Sequence, residues 1–216
     1  PWIKLSVSKG PVETQVPIQV SIDWNALPEG VSEGFITIRG TGWQSAKILV
    51  SARKPDAKIR KQAKGFLEAD GYISIDAASF TKQRKIKGHG WEEIPLHGHT
   101  RSSIAPFPIT DNSFEDPAQA PYVEYPITFV SAGEIELTTV LAPSLPYVPG
   151  RGLRYAVAIG DEKPQIVDFL EGYVDHDEVW ERSVEDGVRY GVSRHTVNRA
   201  GPTTLKLFVV DSGIAV

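Results

Sequence analysis

Short stretches in which apolar and polar residues alternate recur along the chain, and this pattern constrains the fold more than any other feature. A period of two is typical of a β-strand with one buried face and one solvated face. Clear examples begin at Ile18, Val123, Ile135, Leu153 and Leu205. Turn residues separate these stretches, since 19 glycines and 16 prolines are spread over 216 residues. The pattern therefore predicts an all-β fold rather than a helical one.

Composition and charge narrow the classes of protein that the chain fits. It contains no cysteine, so burial of apolar side chains alone must hold its core. The formal net charge of −4 argues against general nucleic-acid binding, and no apolar run is long enough to span a bilayer. We therefore expect neither a nucleic-acid partner nor a membrane partner. The sequence starts at Pro1 without an initiator methionine or a signal peptide, and we interpret it as a piece of a longer polypeptide.

A basic segment at residues 53–64 divides the chain into two predicted domains. It carries six basic side chains and few apolar ones, which is typical of a linker, and we place the linker at 57–64. Short strands spaced by turns predict a small immunoglobulin-like β domain over 1–56. The strands that recur after the linker predict a jelly-roll β-sandwich over 65–216.

Tryptophans are prominent in the first predicted domain. Trp24 lies in phase with the alternating stretch that begins at Ile18. For this residue, and for Trp2 and Trp43, we expect either core packing or the filling of a domain interface.

Three local patterns sharpen the prediction for the second domain. Asp70-Gly71 predicts a turn before a strand that places Ile73 and Ile75 on one face. Pro126 lacks a backbone donor, which predicts an edge strand or a bulged strand. One short helix is expected over residues 175–186, capped by Asp175 and ended by Gly187.

The residue types that carry chemistry form no complete motif. His97 and His99 could supply two metal ligands from one loop, but no firm third ligand accompanies them. The acidic stretch 161–186 holds ten carboxylates, which fits either a charged loop and helix or the paired acids of a glycosidase. No nucleophile elbow, phosphate-binding loop or dinucleotide fingerprint occurs. The residues alone do not define an enzyme.

Several segments together resemble the C-terminal region of xylan alpha-1,2-glucuronidases, glycoside hydrolase family 115. The stretch from Ile22 to Gly30 resembles the small β unit that precedes this region in the family. His99 stands where the family loop usually has arginine, and the family pattern continues for one more strand beyond Val216. The segments that carry the resemblance are Gly65-Phe-Leu-Glu-Ala-Asp-Gly-Tyr-Ile-Ser-Ile75, Trp91-Glu-Glu-Ile-Pro95 with Gly98-His-Thr-Arg-Ser-Ser103, and Gly201-Pro-Thr-Thr-Leu-Lys206 with Val210-Asp-Ser-Gly-Ile-Ala-Val216.

The resemblance implies a non-catalytic accessory region of an alpha-glucuronidase that acts on xylan. The family's catalytic acids belong to upstream domains, and none maps onto this chain. The implied partners are the upstream catalytic domains of the same polypeptide, a second subunit in a homodimer, and glucuronoxylan or a related polysaccharide. The implied location is extracellular or periplasmic. Two alternatives stay open: a structural protein–protein interaction module without sugar affinity, and an enzyme in its own right.

A carbohydrate site is predicted in the long loops at one end of the sandwich. Trp91 would stack on a sugar ring, and Arg101 would pair with the carboxylate of a glucuronic acid substituent. An alternative makes Trp91 a core residue beside Ile94 and leaves the cations solvated. The other predicted contacts are His99, Tyr147, Arg151 and Arg154.

No cofactor is expected apart from a structural calcium ion. Glu68 and Asp70 lie where the sandwich begins, and Asp211 lies near its last strand. Some sugar-binding jelly rolls bring the first and last strands together around Ca²⁺, which prefers oxygen ligands. The alternative interpretation is that these are ordinary surface carboxylates.

Overall fold

A computed structural model describes residues 1–98 and 102–216 of the chain. Over these residues it contains 14 strands and two short α-helices, which confirms the all-β prediction. The chain divides into two compact units, Pro1–Gln62 and Ala63–Val216. Neither α-helix in the described ranges has the length or apolarity needed to cross a membrane.

The first unit contains two sheets of two antiparallel strands each. Asp23 Oδ1 accepts hydrogen bonds from the N–H groups of Asn25 and Ala26 at 3.1 and 3.2 Å, so the chain turns where the alternating pattern predicted a continuing strand. The strand pairs are β1 (Ile3–Leu5) with β2 (Val20–Ile22), and β3 (Gly30–Arg39) with β4 (Ser45–Lys54).

A six-residue helix, α1 (Ala57–Gln62), lies inside the segment predicted as a linker. Asp56 Oδ1 accepts hydrogen bonds from the N–H groups of Lys58 and Ile59 at 2.7 and 3.4 Å, which caps the first turn. Arg60 and Lys61 lie in the last turn, where the helix dipole favours positive charge. The basic composition that indicated a linker is thus compatible with a capped helix.

Burial in the first unit is slight. Within residues 1–62, all of which the structure describes, only Leu27 and Ala52 are buried. Trp24 and Trp43 are 56% and 103% exposed, so the expectation of core packing is wrong for both. The other expectation for these tryptophans, a domain interface, is unaffected by their exposure.

The second unit is built on a six-stranded sheet. Its inner face carries Val123, Tyr125, Tyr155 and Leu207 into the core, as the period-2 pattern predicted. The strands in spatial order are β12 (Gln165–Asp168), β11 (Arg154–Ile159), β14 (Gly201–Val209), β9 (Tyr122–Phe129) and β5 (Phe66–Leu67), with β6 (Lys82–Arg84) also paired to β9.

A second layer of strands covers the inner face of this sheet. It consists of two antiparallel pairs, and side chains such as Trp91, Ile104 and Leu141 join the same core. On the outer face, Phe208 and Val210 pack with Ala120 in a smaller cluster. The pairs are β7 (Gly90–Ile94) with β8 (Ser103–Phe107), and β10 (Gly133–Leu141) with β13 (Arg189–Val197).

β9 is a central strand, so the prediction of an edge or bulge at Pro126 is wrong. One side of β9 pairs continuously with β14. The other side pairs with β6 up to Glu124 and with β5 from Ile127 onward. Pro126 therefore lies between the end of the pairing with β6 and the start of the pairing with β5. On that side of β9 its missing N–H removes no hydrogen bond of a ladder. A Cβ at Gly65, whose φ is +62°, would overlap the carbonyl oxygen of Pro126.

The segment before β6 turns as predicted but does not continue as a strand. Ala69 and Tyr72 exchange backbone hydrogen bonds of 2.9 and 3.1 Å around the Asp70-Gly71 turn. Ile73 and Ile75 both pack against the core, yet residues 73–76 lie outside every strand of the described structure. The alternation thus identified correctly that Ile73 and Ile75 face the core, but the strand that it predicted does not form.

The predicted helix, α2 (Glu178–Asp186), begins later than expected. Asp177 is its cap, because its Oδ1 accepts a hydrogen bond from Trp180 N–H at 2.7 Å. Asp175 instead accepts a hydrogen bond from the Tyr173 hydroxyl at 3.0 Å. Gly187 ends the helix with φ 68°, as predicted.

Candidate functional site

The β3–β4 hairpin of the first unit presents large apolar side chains to solvent. Val31, Phe35 and Leu49 lie on one face of the hairpin and are 60%, 56% and 54% exposed. Lys47 Nζ lies 3.7 Å from the centre of the Phe35 ring, and Trp43 projects from the turn at the end of the hairpin. We call Val31, Phe35, Leu49 and Trp43 the hairpin surface. Phe35 and Leu49 are direct cross-strand partners, and adjacent exposed apolar side chains are a feature of protein–protein contact sites.

A buried carboxylate in the second unit contacts two of the three arginines that were predicted to bind carbohydrate. Asp211 is fully buried, and its Oδ2 accepts hydrogen bonds from Arg154 N–H and Arg154 Nε, both at 2.9 Å. Arg151 Nε lies 3.5 Å from Asp211 Oδ1. Arg154 also donates to both carboxylate oxygens of Glu115, at 3.2 and 2.9 Å. These four residues form what we call the Asp211 cluster, which holds two positive and two negative groups.

The Asp211 cluster shifts the protonation of its members. The hydrogen bond and charge of Arg154 hold the pKa of Glu115 below its usual range. In the same way, hydrogen bonds to Asp211 and then to Glu115 raise the pKa of Arg154 above its ordinary value. Both shifts stabilise the charged forms. The guanidinium group of Arg154 is thus already hydrogen-bonded to two carboxylates of its own chain. Few of its donors remain for the carboxylate of an acidic sugar.

Tyr147 and Arg151 hold the loop before β9 to the end of the chain that follows β14. The Tyr147 hydroxyl lies 2.8 Å from the carbonyl oxygens of both Thr110 and Ser212. Arg151 Nη1 donates to the carbonyl oxygen of Asp111 at 2.7 Å. The structure therefore brings Tyr147, Arg151 and Arg154 together, but through contacts within the chain.

The remaining predicted carbohydrate contacts are not gathered with them. Trp91 is 1% exposed and packs in the main core, so its ring offers no face on which a sugar could stack. This position agrees with the alternative that made Trp91 a core residue. His99 and Arg101 lie outside the described residues. His97 Nδ1 lies 2.9 Å from Ser103 Oγ.

The three carboxylates predicted to bind calcium lie apart. Glu68 accepts hydrogen bonds from the N–H groups of Val130 and Ser131 at 2.8 and 3.1 Å. Asp70 occupies a turn with φ 51°, and Asp211 belongs to its cluster. Among the described residues, no group of three or more histidine or acidic side chains is arranged to hold a metal ion. The geometry therefore gives the calcium hypothesis no set of ligands.

Sequence reasoning missed a hydrogen-bonded chain of three side chains. His195 Nδ1 lies 2.6 Å from Glu162 Oε1, and His195 Nε2 lies 2.8 Å from Ser193 Oγ. This order of groups resembles that of a serine hydrolase. However, the His195 side chain is fully buried, which gives no access to a substrate. These hydrogen bonds instead hold β13 to the turn between β11 and β12. The sequence holds one signal for these contacts: Ser193 and His195 occupy alternate positions whose side chains face the core.

The second unit is thus a β-sandwich in which Arg151 and Arg154 contact a carboxylate of their own chain. The model of the glycosyl hydrolase family 115 C-terminal domain matches residues 65–216, so the chain belongs to glycosyl hydrolase family 115 and carries its C-terminal domain. No curated protein sequence matches the chain significantly.

Among solved structures, the chain is similar to a family GH115 4-O-methyl-alpha-glucuronidase described as specific for decorated arabinogalactans. The identity is 15% and the TM-score is 0.49. The match covers 65% of this chain and 16% of the other, so this chain corresponds to a small part of that protein's length.

Proposed function

We propose that this chain is a non-catalytic accessory region of a secreted, xylan alpha-1,2-glucuronidase-like glycoside hydrolase. Its role in this proposal is to support the catalytic domains, with the hairpin surface as the contact. The observation that carries the proposal is the first unit, where residues 1–62 bury only Leu27 and Ala52 while Phe35 and Leu49 stay more than half exposed.

Elementary energetics support a docking role for this unit. A two-stranded sheet is marginally stable alone and needs further packing. Complete burial of a side chain such as Phe35 or Leu49 stabilises by about 1.5–3 kcal/mol, and roughly half of that gain remains to be made here. A partner that covers the hairpin surface would supply it. We infer that this partner is the upstream part of the same polypeptide, and that a homodimer would use the same kind of contact.

The internal use of the arginines favours docking over polysaccharide recognition. Arg151 and Arg154 are engaged with Asp211, and Trp91 is buried. Glucuronoxylan binding is therefore the hypothesis that competes with docking. It would show as salt-sensitive binding of the isolated chain to glucuronoxylan but not to unsubstituted xylan, because exposed charges are screened within about 8 Å at physiological ionic strength.

The test compares the full-length parent protein with the 216-residue chain. We expect Phe35→Ser with Leu49→Ser to lower the melting temperature of the parent by several degrees and to change that of the isolated chain much less. The matched control is Val184→Ser, an exposed apolar residue on α2 at 55% exposure, which should change neither. Light scattering of the parent distinguishes a subunit interface, since the variant would then also dissociate.

An equal loss in the parent and in the isolated chain would contradict docking, because the side chains would then act only within their own unit. We also expect the isolated chain to release no glucuronic acid from xylan. An extracellular or periplasmic location follows from the proposed activity of the parent.

A further inference from the structure

Two rows of side chains cross the outer face of the six-stranded sheet, where β6, β9 and β14 are neighbours. Directly opposed residues of antiparallel strands point to the same face, and so do residues two positions apart on one strand. The first row is Lys82, Glu124 and Lys206, and the second row is Arg84, Tyr122 and Phe208. Three cations therefore surround one carboxylate and two aromatic rings.

Arg84 is held in place by the segment that precedes β9. Its Nη2 donates to the carbonyl oxygens of Ala118 and Ala120 at 2.8 and 2.5 Å. Its guanidinium carbon lies 4.5 Å from the centre of the Tyr122 ring. Among the described residues no carboxylate forms an ion pair with Arg84, and its Nη1 donates to none of them. The guanidinium group is thus ordered and keeps a donor for a ligand.

Lys206 does not pair with the carboxylate that lies opposite it. Glu124 is its cross-strand partner, yet the Glu124 carboxylate pairs with Lys82 at 3.7 Å. Lys206 Nζ lies 5.5 Å from the centre of the Tyr122 ring, against which Arg84 also packs. In the described structure Lys206 Nζ has no ion pair, so two like charges share one ring without a bound counter-ion.

We propose that Arg84 and Lys206 together bind an oxyanion with two negative charges, such as a sulfate or phosphate group, beside Tyr122. The ligand would accept charge-assisted hydrogen bonds from a guanidinium and an ammonium group, which are stronger than neutral ones. Since Lys82 and Glu124 offset each other, the patch offers two net positive charges. The fixed orientation of Arg84 lowers the entropy that would be lost on binding.

This oxyanion site is distinct from the Asp211 cluster, whose arginines contact carboxylates of their own chain. It also does not rest on docking through the hairpin surface, which belongs to the first unit. The chain as a whole carries a net charge of −4. General electrostatic attraction would therefore oppose an anion, so binding has to come from the local arrangement of these cations.

The test is titration of the 216-residue chain with sodium sulfate at constant ionic strength, followed by the amide chemical shifts of β6, β9 and β14. We expect saturable shifts centred on Arg84, Tyr122 and Lys206. Sulfate should bind more tightly than acetate, because it matches both positive charges. Sulfate also stabilises folded proteins by its exclusion from their surface, so the Kd from chemical shifts is the measurement rather than the melting temperature.

A matched pair of variants tests the location of the site. Lys206→Gln removes one of the two ligand contacts and should weaken sulfate binding by about tenfold. Arg199→Gln removes the same charge from an exposed position in the turn between β13 and β14, and should leave the Kd unchanged. Absence of saturable shifts with sulfate, a lower Kd for acetate, or equal Kd values for the two variants would overturn the proposal.

Discussion

Asp211 holds two guanidinium groups while it is fully shielded from water. Replacement by asparagine would keep the shape and remove the charge, so Arg151 and Arg154 would lose their buried counter-ion. Removal of one partner from a buried ion pair costs about 3–5 kcal/mol. We therefore expect Asp211→Asn to lower the free energy of unfolding by about that amount, as measured by denaturant unfolding.

The matched control for this prediction is Glu136→Gln. Glu136 pairs with Arg194 at 3.5 Å, and both side chains are more than half exposed. Exposed pairs contribute about 0–1 kcal/mol, so this variant should be almost neutral. A similar small loss for Asp211→Asn would show that the cluster does not support the fold.

Glu115 makes the same cluster sensitive to acid. Arg154 lowers its pKa in the folded chain below the ordinary 4.5, so the folded state binds this proton less readily than the unfolded state. The stabilising contribution is therefore present above the unfolded pKa and is lost as the pH falls through the lower folded pKa. Melting temperatures of the wild type and Glu115→Gln should differ near neutral pH and converge below pH 4.5. A difference that grows on acidification would contradict this sign.

At the scale of single elements, the cap of α2 gives a direct comparison of two neighbouring aspartates. Asp177 accepts a hydrogen bond from Trp180 N–H, whereas Asp175 bonds only outside the helix. We expect Asp177→Ala to destabilise α2 by about 1 kcal/mol and Asp175→Ala to have less effect. Hydrogen exchange of the α2 amides measures both variants. A larger effect at Asp175 would restore the sequence-based assignment.

The sequence predicted some strands and their buried faces better than others. The alternation in β9, β10 and β14 identified strands and buried faces, because side-chain phase follows directly from pleated geometry. Pro126 misled the prediction, since the break between β5 and β6 as partners depends on residues about 40–60 positions earlier in the chain. The predicted sugar contacts stay a prediction, and they show a related limit. Sequence indicates that Arg154 is cationic but not that Asp211 already pairs with it.

At the scale of the whole molecule, the two units differ in how much core they possess. The first unit buries two residues, whereas the second contains a continuous core that spans both of its layers. We expect limited proteolysis to cut first between β1 and β2, at residues 6–19, where the backbone is exposed and outside any strand. A resistant fragment that begins near Ala63 should remain, as identified by mass spectrometry. Early cleavage within 122–159 would contradict this order.

The position of β14 has a consequence for how the second unit forms during synthesis. β14 lies between β9 and β11 in the sheet, yet among the described strands it is translated last. Asp211 follows it and contacts Ser113, which is 98 positions earlier. Until the ribosome has released residues beyond 209, β9 and β11 therefore lack β14, the strand that pairs with both of them. The sheet cannot be completed before β14 has emerged, and the apolar faces of the earlier strands need protection until then.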